Sequence, residues 1–584
     1  MVELDDLRDA RLSAVESTGA AWRKLAVRFK VVEDDAVSDL IGPLHHHSRW
    51  EGTAAQAAYR HLDGVNEGFG LLAEQARAVG ALIDAAASRF ATLQRQLDDL
   101  EQEARAAGAR VRADGSVEPP YLTATESADD LSALAAARRN NETAQAFADR
   151  VAAVLAEATR LDEEYASALT RYIHPPSGVM SPSEVLNAAR DAKDNAKLLG
   201  ADKSTIPEGK SAWTINEWWQ GLTADQRQAY LTAYPAELGR LNGIPAVDRN
   251  AANRAQLHRH LAEVEQKATE FGSATDQGWR DRVAHDRRTT ERLLQRLEES
   301  EYGTEDTPVP LYLLGYAPGA VGNPDAGRAI VAVGNPDTAT HVTTFVPGVA
   351  TDMDDVPGLM LNRAIPLQVE ADSLTPSVPG DVSVIAWLDY DAPENFQPWK
   401  PGGEGNLSLA GHERADQGAA RLDAFLNGLH ATHQGEGHYT ALGHSYGSTV
   451  VGTAASSGDG LAVDDIIAAG SPGMRVAEAG DLNLDRNHVW AGAAPDDPIV
   501  NWTADSAHGV SPANPEFGAN RFHVDTHGHG NYWMEGSTSL RNQAAVVTGQ
   551  YDLLQQTPGA LDHTSDEGWN YRQARIRGES VDPP

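Results

Sequence analysis

Apolar residues recur at three- and four-residue steps through the first half of the chain, the rhythm of helices packed lengthwise. The longest seam is Leu62, Val65, Phe69, Leu72, Ala76, Val79, Ile83, Ala86, Phe90, Leu93, Leu97 and Leu100. Threes and fours alternate without a break, which predicts one long helix lying along another. Val37, Leu40, Ile41 and Leu44 precede it at helical spacing and predict an antiparallel partner, with His45-His46-His47-Ser48-Arg49-Trp50-Glu51-Gly52 in the turn. A third helix follows from Ala144, Phe147, Val151, Val154, Ala158, Leu161, Tyr165 and Ala168, and His174-Pro175-Pro176-Ser177-Gly178 cannot continue it. The polar stretch over 174–210 is expected to be a linker or long loop, and 256–299 is again helical. A helical hairpin over 1–110 and a second helical region over 111–302 are therefore expected.

Beyond Pro308 the pattern changes to short β-rich runs separated by Gly, Pro and Asp. Strands are predicted over 311–316, 329–333, 341–346, 382–388, 438–442, 465–469 and 488–493, with helices over 415–430 and 448–456. Strands alternating with helices imply a mainly parallel sheet covered on both faces, hence an α/β domain over 303–555. The proline-rich stretch over 352–381 is read as a loop long enough to be a lid. Residues 556–584 form a polar tail.

Composition narrows the function. The chain has 584 residues, enough for about four domain-sized units at ~150 residues each. Lys and Arg number 48 and Asp and Glu 84, a net charge of −36, which argues against nucleic acid or anionic lipid as the main partner. Between Glu301 and Gly470 the basic residues are only Arg328, Arg363, Lys400, Arg414 and Arg421, a poor trap for polyanions. Cysteine is absent, which excludes disulfides, thiolate metal sites and a cysteine nucleophile. The opening MVELDDLRDARLS is acidic rather than a secretory signal, and no run of ~18 apolar residues predicts a membrane span. A cytoplasmic location is the default expectation, unless export uses a route without a cleaved signal.

The strongest chemical signal is Gly443-His444-Ser445-Tyr446-Gly447, a G-x-S-x-G between a predicted strand and a predicted helix. There the serine sits on a tight turn, Gly443 and Gly447 avoid collisions with nearby backbone, and the helix N-terminus favours negative charge at Ser445. Serine needs a base to take its proton. In the chain order Ser, acid, His, the acid follows a later strand, at Asp496 or Asp497. Asp497 is preferred because Pro498 would fix its loop. Three histidines, His523, His527 and His529, lie near the domain end, with His508 a weaker candidate. His529 is preferred and His527 second. A metal site from His523, Asp525, His527 and His529 is the alternative, disfavoured because a serine elbow already accounts for the chemistry. No metal is expected at His45–His47 either. The oxyanion hole needs two backbone N–H groups: Tyr446, after the nucleophile, and Val349, in the loop that Gly348 opens after the 341–346 strand.

Together these residues resemble an actinobacterial α/β-hydrolase family in which a long helical region precedes the catalytic domain. The phrases are Trp219-Gln220-Gly221-Leu222, Leu241-Asn242-Gly243-Ile244-Pro245, Arg249-Asn250-Ala251-Ala252-Asn253-Arg254, Phe345-Val346-Pro347-Gly348, Ala386-Trp387-Leu388-Asp389-Tyr390-Asp391-Ala392-Pro393, Gly443-His444-Ser445-Tyr446-Gly447-Ser448, Gly470-Ser471-Pro472-Gly473, and His529 three before Tyr532. The resemblance implies the Ser445, Asp497, His529 assignment and no particular substrate. Trp50-Glu51-Gly52 between two amphipathic helices resembles the WXG family of type VII secretion substrates. That family carries a Tyr-x-x-x-Asp/Glu signal late in its second helix, whereas Tyr59 to Asp63 has the spacing near the start.

The expectation is a serine hydrolase acting on a small-molecule ester or lipid through an acyl-enzyme, with no cofactor. Acyl transfer is one alternative. Another is a helical module binding a small WXG-like partner or a second copy, with the hydrolase domain as exported cargo or an inactive scaffold.

Overall fold

The computed structural model describes residues 2–47, 50, 52–121, 130–172, 181–270, 276–301, 309–323, 327–375, 380–393, 412–503 and 508–555. The chain divides into two compact units, Met1–Asp202 with Ala224–Ala229, and Lys203–Thr223 with Tyr230–Pro584.

The first unit is built on α1 (Leu12–Ala36), α2 (Thr53–Ala106) and α3 (Asp130–Thr170). At 1.5 Å per residue, the 54 residues of α2 run about 80 Å. Leu93, Leu97 and Leu100 of the predicted seam are buried in one core with Val151, Ala158, Leu161 and Tyr165 of α3, together with Leu82, which the seam does not include. The antiparallel partner of α2 is α1 itself, longer and earlier than the 37–44 segment expected. That segment is a π-turn (Val37–Ile41) and a short helix (Gly42–His47). Gly19 and Gly80 allow α1 and α2 to touch: a Cβ on Gly80 would lie 3.0 Å from the Gly19 carbonyl. Trp50 is exposed, and the Tyr59 hydroxyl donates to its carbonyl at 2.8 Å. Glu51, the His45–His47 side chains, the His174–Gly178 break and the 556–584 tail lie outside what the structure describes. The stretch expected to be a linker holds a helix, Pro182–Asn195, opened by a reciprocal cap between Ser181 and Glu184. Its polarity is that of a solvated helix, not of a loop.

In the second unit α4 (Ala246–Glu270) and α5 (Gln277–Glu301), which the apolar rhythm groups with the helical first half, precede the sheet. The strands are β1 (Leu311–Ala317), β2 (Arg328–Val333), β3 (His341–Val346), β4 (Val382–Leu388), β5 (His438–His444), β6 (Asp465–Ala469), β7 (Val489–Gly492) and β8 (Asn520–Arg521). They form one sheet in the order β8-β7-β6-β5-β3-β4-β2-β1. All neighbours are parallel except β1–β2 and β2–β4. Period-two alternation sends Val382, Val384, Ala386 and Leu388 of β4 to one core layer, and Ile385 and Trp387 to the other. The first layer is closed by α6 (Leu361–Leu374) and α9 (Thr538–Val547), the second by α7 (Glu413–Thr432) and α8 (Tyr446–Ala455). The α6 helix lies inside the stretch expected to be a lid. Leu361, Ala364, Leu367 and Ala371 are buried in the core, so this part of the chain is a structural layer. On the open edge, Asn250 accepts from the Leu313 N–H at 2.8 Å and Asn253 donates to the Leu313 carbonyl at 2.9 Å, occupying backbone groups that an edge strand leaves bare.

Near the amino ends of the parallel strands, the buried carboxylate of Asp465 accepts from His438 Nε2 (2.9 Å), His488 Nδ1 (3.1 Å), Trp490 Nε1 (2.7 Å) and Tyr551 Oη (2.6 Å). Burial opposes charge on both Asp465 and His438, but these bonds outweigh it, holding Asp465 below and His438 above its ordinary pKa. His438 also donates from Nδ1 to the Val547 carbonyl at 3.0 Å, as only an imidazolium can while Nε2 donates too. Stability from His438 is complete below its unfolded pKa of about 6.5 and is lost as pH rises through the raised folded value. Stability from Asp465 is present above about 3.9 and is lost as pH falls through the depressed folded value. The pair therefore contributes most between about pH 4 and 6.5. His438→Gln should flatten the decline of Tm as pH rises above about 6.5, measured by calorimetry. An unchanged slope would refute the charged pair.

Candidate active site

The β5 strand ends at His444, and Ser445 takes φ 55° and ψ −130° before α8 begins at Tyr446. A non-glycine residue in this backbone region is strained, and the surrounding chain must hold it there. A Cβ on Gly443 would lie 2.4 Å from Ser448 Cα, and one on Gly447 2.1 Å from the Val346 carbonyl oxygen. Both glycines are thus demanded by backbone contact. Ser445 is nearly buried, its N–H donates to the Ala469 carbonyl at 3.0 Å, and Ser448 Oγ donates to its carbonyl at 2.6 Å.

Asp497 follows β7 and is fully buried. Its Oδ1 accepts from the Ile499 N–H at 2.8 Å, its Oδ2 from the Tyr532 hydroxyl at 2.5 Å, and the two oxygens lie 3.0 and 2.9 Å from His529 Nδ1. Since both oxygens accept, Nδ1 carries a proton, and the tautomer this selects has its lone pair on Nε2. Gly470, at φ 58°, makes room for this cluster: a Cβ there would lie 2.8 Å from Asp497 Oδ2. Asp496 is exposed and takes another part, accepting from the Gly528 N–H at 2.7 Å with His527 Nδ1 3.5 Å away. The adjacent aspartates hold the histidine loop at two points.

The elbow and the Asp497–His529 pair meet through His444. Its ring lies 4.6 Å from that of His529, and its Nε2 donates to the His529 carbonyl at 2.8 Å. Burial, with Arg363 and His529 adding to it, pushes its pKa well below the ordinary histidine value, so it stays neutral. Its Nδ1 faces Arg363 Nη1 at 3.5 Å. The Arg363 guanidinium rests 4.8 Å over the Trp533 ring, and burial pushes its pKa down to about 10. Among the described residues Ser445 Oγ makes no hydrogen bond to His529. Such contacts are commonly loose without substrate and tighten in the complex.

Gly348 packs directly on the serine, where a Cβ would lie 2.6 Å from Ser445 Cβ and 3.0 Å from Oγ. Its loop is fixed by the Tyr390 hydroxyl, donating to the Pro347 carbonyl at 2.6 Å, and by the Ala350 N–H, donating to Pro393 at 2.7 Å. The Val349 N–H is without a partner among the described residues. Tyr446 begins α8, and His508 stands edge-on to its ring at 5.5 Å. The alternative metal ligands diverge. Asp525 accepts the Thr538 and Ser539 N–H groups at the start of α9, His527 is exposed, and His529 turns to Asp497. No cluster of three or more metal-ligating side chains occurs among the described residues.

The supporting roles of His444, Tyr532 and Gly470 escape sequence reasoning, although all three fall inside phrases that carried the resemblance. Their function is visible only once chain segments tens of residues apart are brought together.

Residues 323–507 match a family model described as alpha/beta hydrolase, which spans Ser445 and Asp497 and stops short of His529. The chain is 31% identical over 417 residues to the uncharacterized protein Rv2079 of Mycobacterium tuberculosis, covering 62% of this chain and 61% of that protein. It is 30% identical over 197 residues to the uncharacterized protein Mb0988c of Mycobacterium bovis, covering 33% of this chain and 65% of that one. The chain thus spans about three fifths of the length of Rv2079. The C-terminal region carries an α/β hydrolase domain with mycobacterial homologues, preceded by a helical region. No helix among the described residues is long and apolar enough to cross a membrane.

Proposed function

We propose that the second unit is a serine hydrolase of carboxylic esters. Ser445 Oγ attacks the ester carbonyl carbon while His529 Nε2 takes the hydroxyl proton. Asp497 orients the ring and stabilises the imidazolium. The oxyanion lies against the Val349 and Tyr446 N–H groups at the α8 terminus. The C–O bond breaks as the imidazolium returns the proton to the leaving alcohol, and water then cleaves the acyl-enzyme by the same relay. The observation that carries this reading is a buried carboxylate bonded to the Nδ1 of an imidazole beside a strained serine elbow. Ester is chosen over amide by analogy with the fold.

A fluorophosphonate probe tests it. Wild type should be labelled, Ser445→Ala should not, and His529→Ala should be labelled at least about a thousandfold more slowly. Labelling that survives in His529→Ala would move the base to His527. An unlabelled, folded wild type would sink the proposal.

The first unit supports a second, compatible role. Trp22, Val27, Val31, Val32 and Leu40 are exposed on the α1 segment and its π-turn extension, an apolar series suited to another helical hairpin. A second copy or a small WXG-like protein is the partner expected, and type VII export would follow from the latter. Light scattering should give a dimer or hetero-complex that Val27→Asp with Val31→Asp dissociates. A monomeric wild type that purifies alone would count against this role.

A further inference from the structure

A cavity lies in the second unit, and Ser445 is not in its lining. It measures about 230 Å³ and is lined by Arg240, Asn242, Arg249, Arg328, Asp389 and Arg421, with the ends of β1 and β4 as walls. Four arginines and one aspartate line this space, in a chain whose net charge is −36. Three phrases that the serine chemistry leaves unused converge here: Asn242 before α4, Arg249 on it, and Asp389 after β4.

Arg249 is the key residue. It is only 4% exposed and has no carboxylate within 4.0 Å among the described residues. Its Nε donates to the Gly239 carbonyl at 3.3 Å and its Nη1 to Asn242 Oδ1 at 3.2 Å, while its guanidinium lies 5.5 Å from the Phe425 ring centre. Its Nη2 meets no acceptor among the described residues and is not sealed in packed interior. Burial pushes its pKa down to about 10, so it remains a cation at neutral pH. A buried, charged group with spare donors is costly unless an anion answers it. The two carboxylates that act on Arg249 from beyond 4.0 Å are both engaged, Asp389 by Arg421 Nη1 at 3.2 Å from its Oδ1, and Asp337 by the Thr432 hydroxyl and the Ala246 N–H, each at 2.6 Å. Arg328 pairs with Asp391 at 2.7 Å, outside the lining, and Arg240 makes no ion pair among the described residues.

We propose that this cavity binds a small phosphate-bearing anion. Guanidinium forks match phosphate oxygens two at a time; among the described residues neither Arg240 nor Arg249 has a carboxylate within 4.0 Å, and Asp389 and Asp337 act on Arg249 only from farther away. A cavity of about 230 Å³ has room for a small phosphate monoester. The cavity reaches the carboxyl end of β4, two strands from β5, so it stands roughly 10 Å along the sheet from the elbow. Asp389 adjoins Tyr390, whose hydroxyl holds Pro347 in the loop against Ser445. An occupant would therefore sit one residue from a clamp on that loop.

The test uses the full chain with inorganic phosphate and glycerol phosphate, by calorimetric titration and ³¹P line broadening at constant ionic strength. Wild type should bind one equivalent saturably, and Ser445→Ala should bind equally well. Arg421→Gln and Arg240→Gln, at partly or fully exposed positions, should keep the fold and bind about tenfold more weakly or worse. Arg249→Met should lose binding, and the two outer variants carry the test if it fails to fold. No saturable phosphate binding by wild type would overturn the proposal. So would malonate binding as tightly as phosphate, undiminished binding in both outer variants, or loss of binding in Ser445→Ala, which would put the anion at the serine.

Discussion

Asp497→Asn should lower kcat for a p-nitrophenyl ester by about 10⁴-fold with little change in KM. The carboxylate is fully buried and accepts from the His529 ring, the Tyr532 hydroxyl and the Ile499 N–H. An amide keeps the shape and loses two properties. It cannot stabilise the imidazolium that forms when Ser445 gives up its proton. It also presents an NH₂ group that competes for Nδ1 as acceptor and so favours the tautomer with the proton on Nε2, where a lone pair is needed. The fold should survive, because a neutral amide is less costly to bury than a charge and the backbone donors remain. Asp496→Asn is the control. That side chain is exposed and bonds to Gly528 and His527, so activity should stay within a few-fold of wild type. Equal losses in the two variants, or a loss below about tenfold in Asp497→Asn at matched Tm, would remove Asp497 from the relay.

The parts legible in the sequence are those governed by local rules. The long seam showed α2, because an unbroken three-four alternation admits no other periodicity. The strands β3, β4 and β6 were read to the residue, because buried parallel strands are short, apolar and bounded by Gly, Pro or Asp. The elbow was legible because its two glycines answer backbone crowding. Chain order after β7 narrowed the proposed acid to Asp496 or Asp497 and the proposed base to the late histidines, and the resemblance pointed to Asp497 and His529, whose side chains lie together.

Tertiary context hid the rest. The α6 helix contains Pro366 and follows a π-turn with Pro357 and Gly358, so its local signals read as loop while burial of Leu361, Leu367 and Ala371 keeps it helical. The 37–44 segment has helical spacing but too little length to pair with α2, and the work falls to α1. His444 resembled a variable position of the motif. Its contact with the His529 carbonyl joins residues 85 apart, beyond the reach of spacing. The scarcity of basic residues in the hydrolase half misled in a similar way, because a sum of charges hides where they gather. Arg240 and Arg249 enter from helical segments ahead of the sheet and meet Arg328 and Arg421 in one cavity.

Gly348→Ala should separate catalysis from folding at this site. No positive φ constrains Gly348, so alanine meets no backbone penalty and the whole effect is one of space. The added Cβ would lie 2.6 Å from Ser445 Cβ, 3.0 Å from Oγ and 3.2 Å from the His444 carbonyl oxygen. Something must move by several tenths of an ångström. The loop resists, since Tyr390 holds Pro347 on one side and Pro393 holds Ala350 on the other. Displacement falls on Ser445 and on the Val349 N–H, the nucleophile and one oxyanion donor of the proposed mechanism. A misplaced oxyanion donor costs about 10²–10³ in kcat, and overpacking costs about 1–3 kcal/mol of stability. Gly348→Ala should therefore fold, lose a hundredfold or more in ester turnover by the first figure, and label slowly with fluorophosphonate. Gly447→Ala should differ in kind. Its Cβ would lie 2.1 Å from the Val346 carbonyl oxygen and 2.5 Å from that of Pro347, so the conflict is with the backbone of β3 and its exit rather than with a side chain. It should lower Tm sharply before any catalytic defect can be read. If Gly348→Ala retains near wild-type kcat at an unchanged Tm, the oxyanion does not bind beside this loop, and the second donor must be sought elsewhere around Ser445.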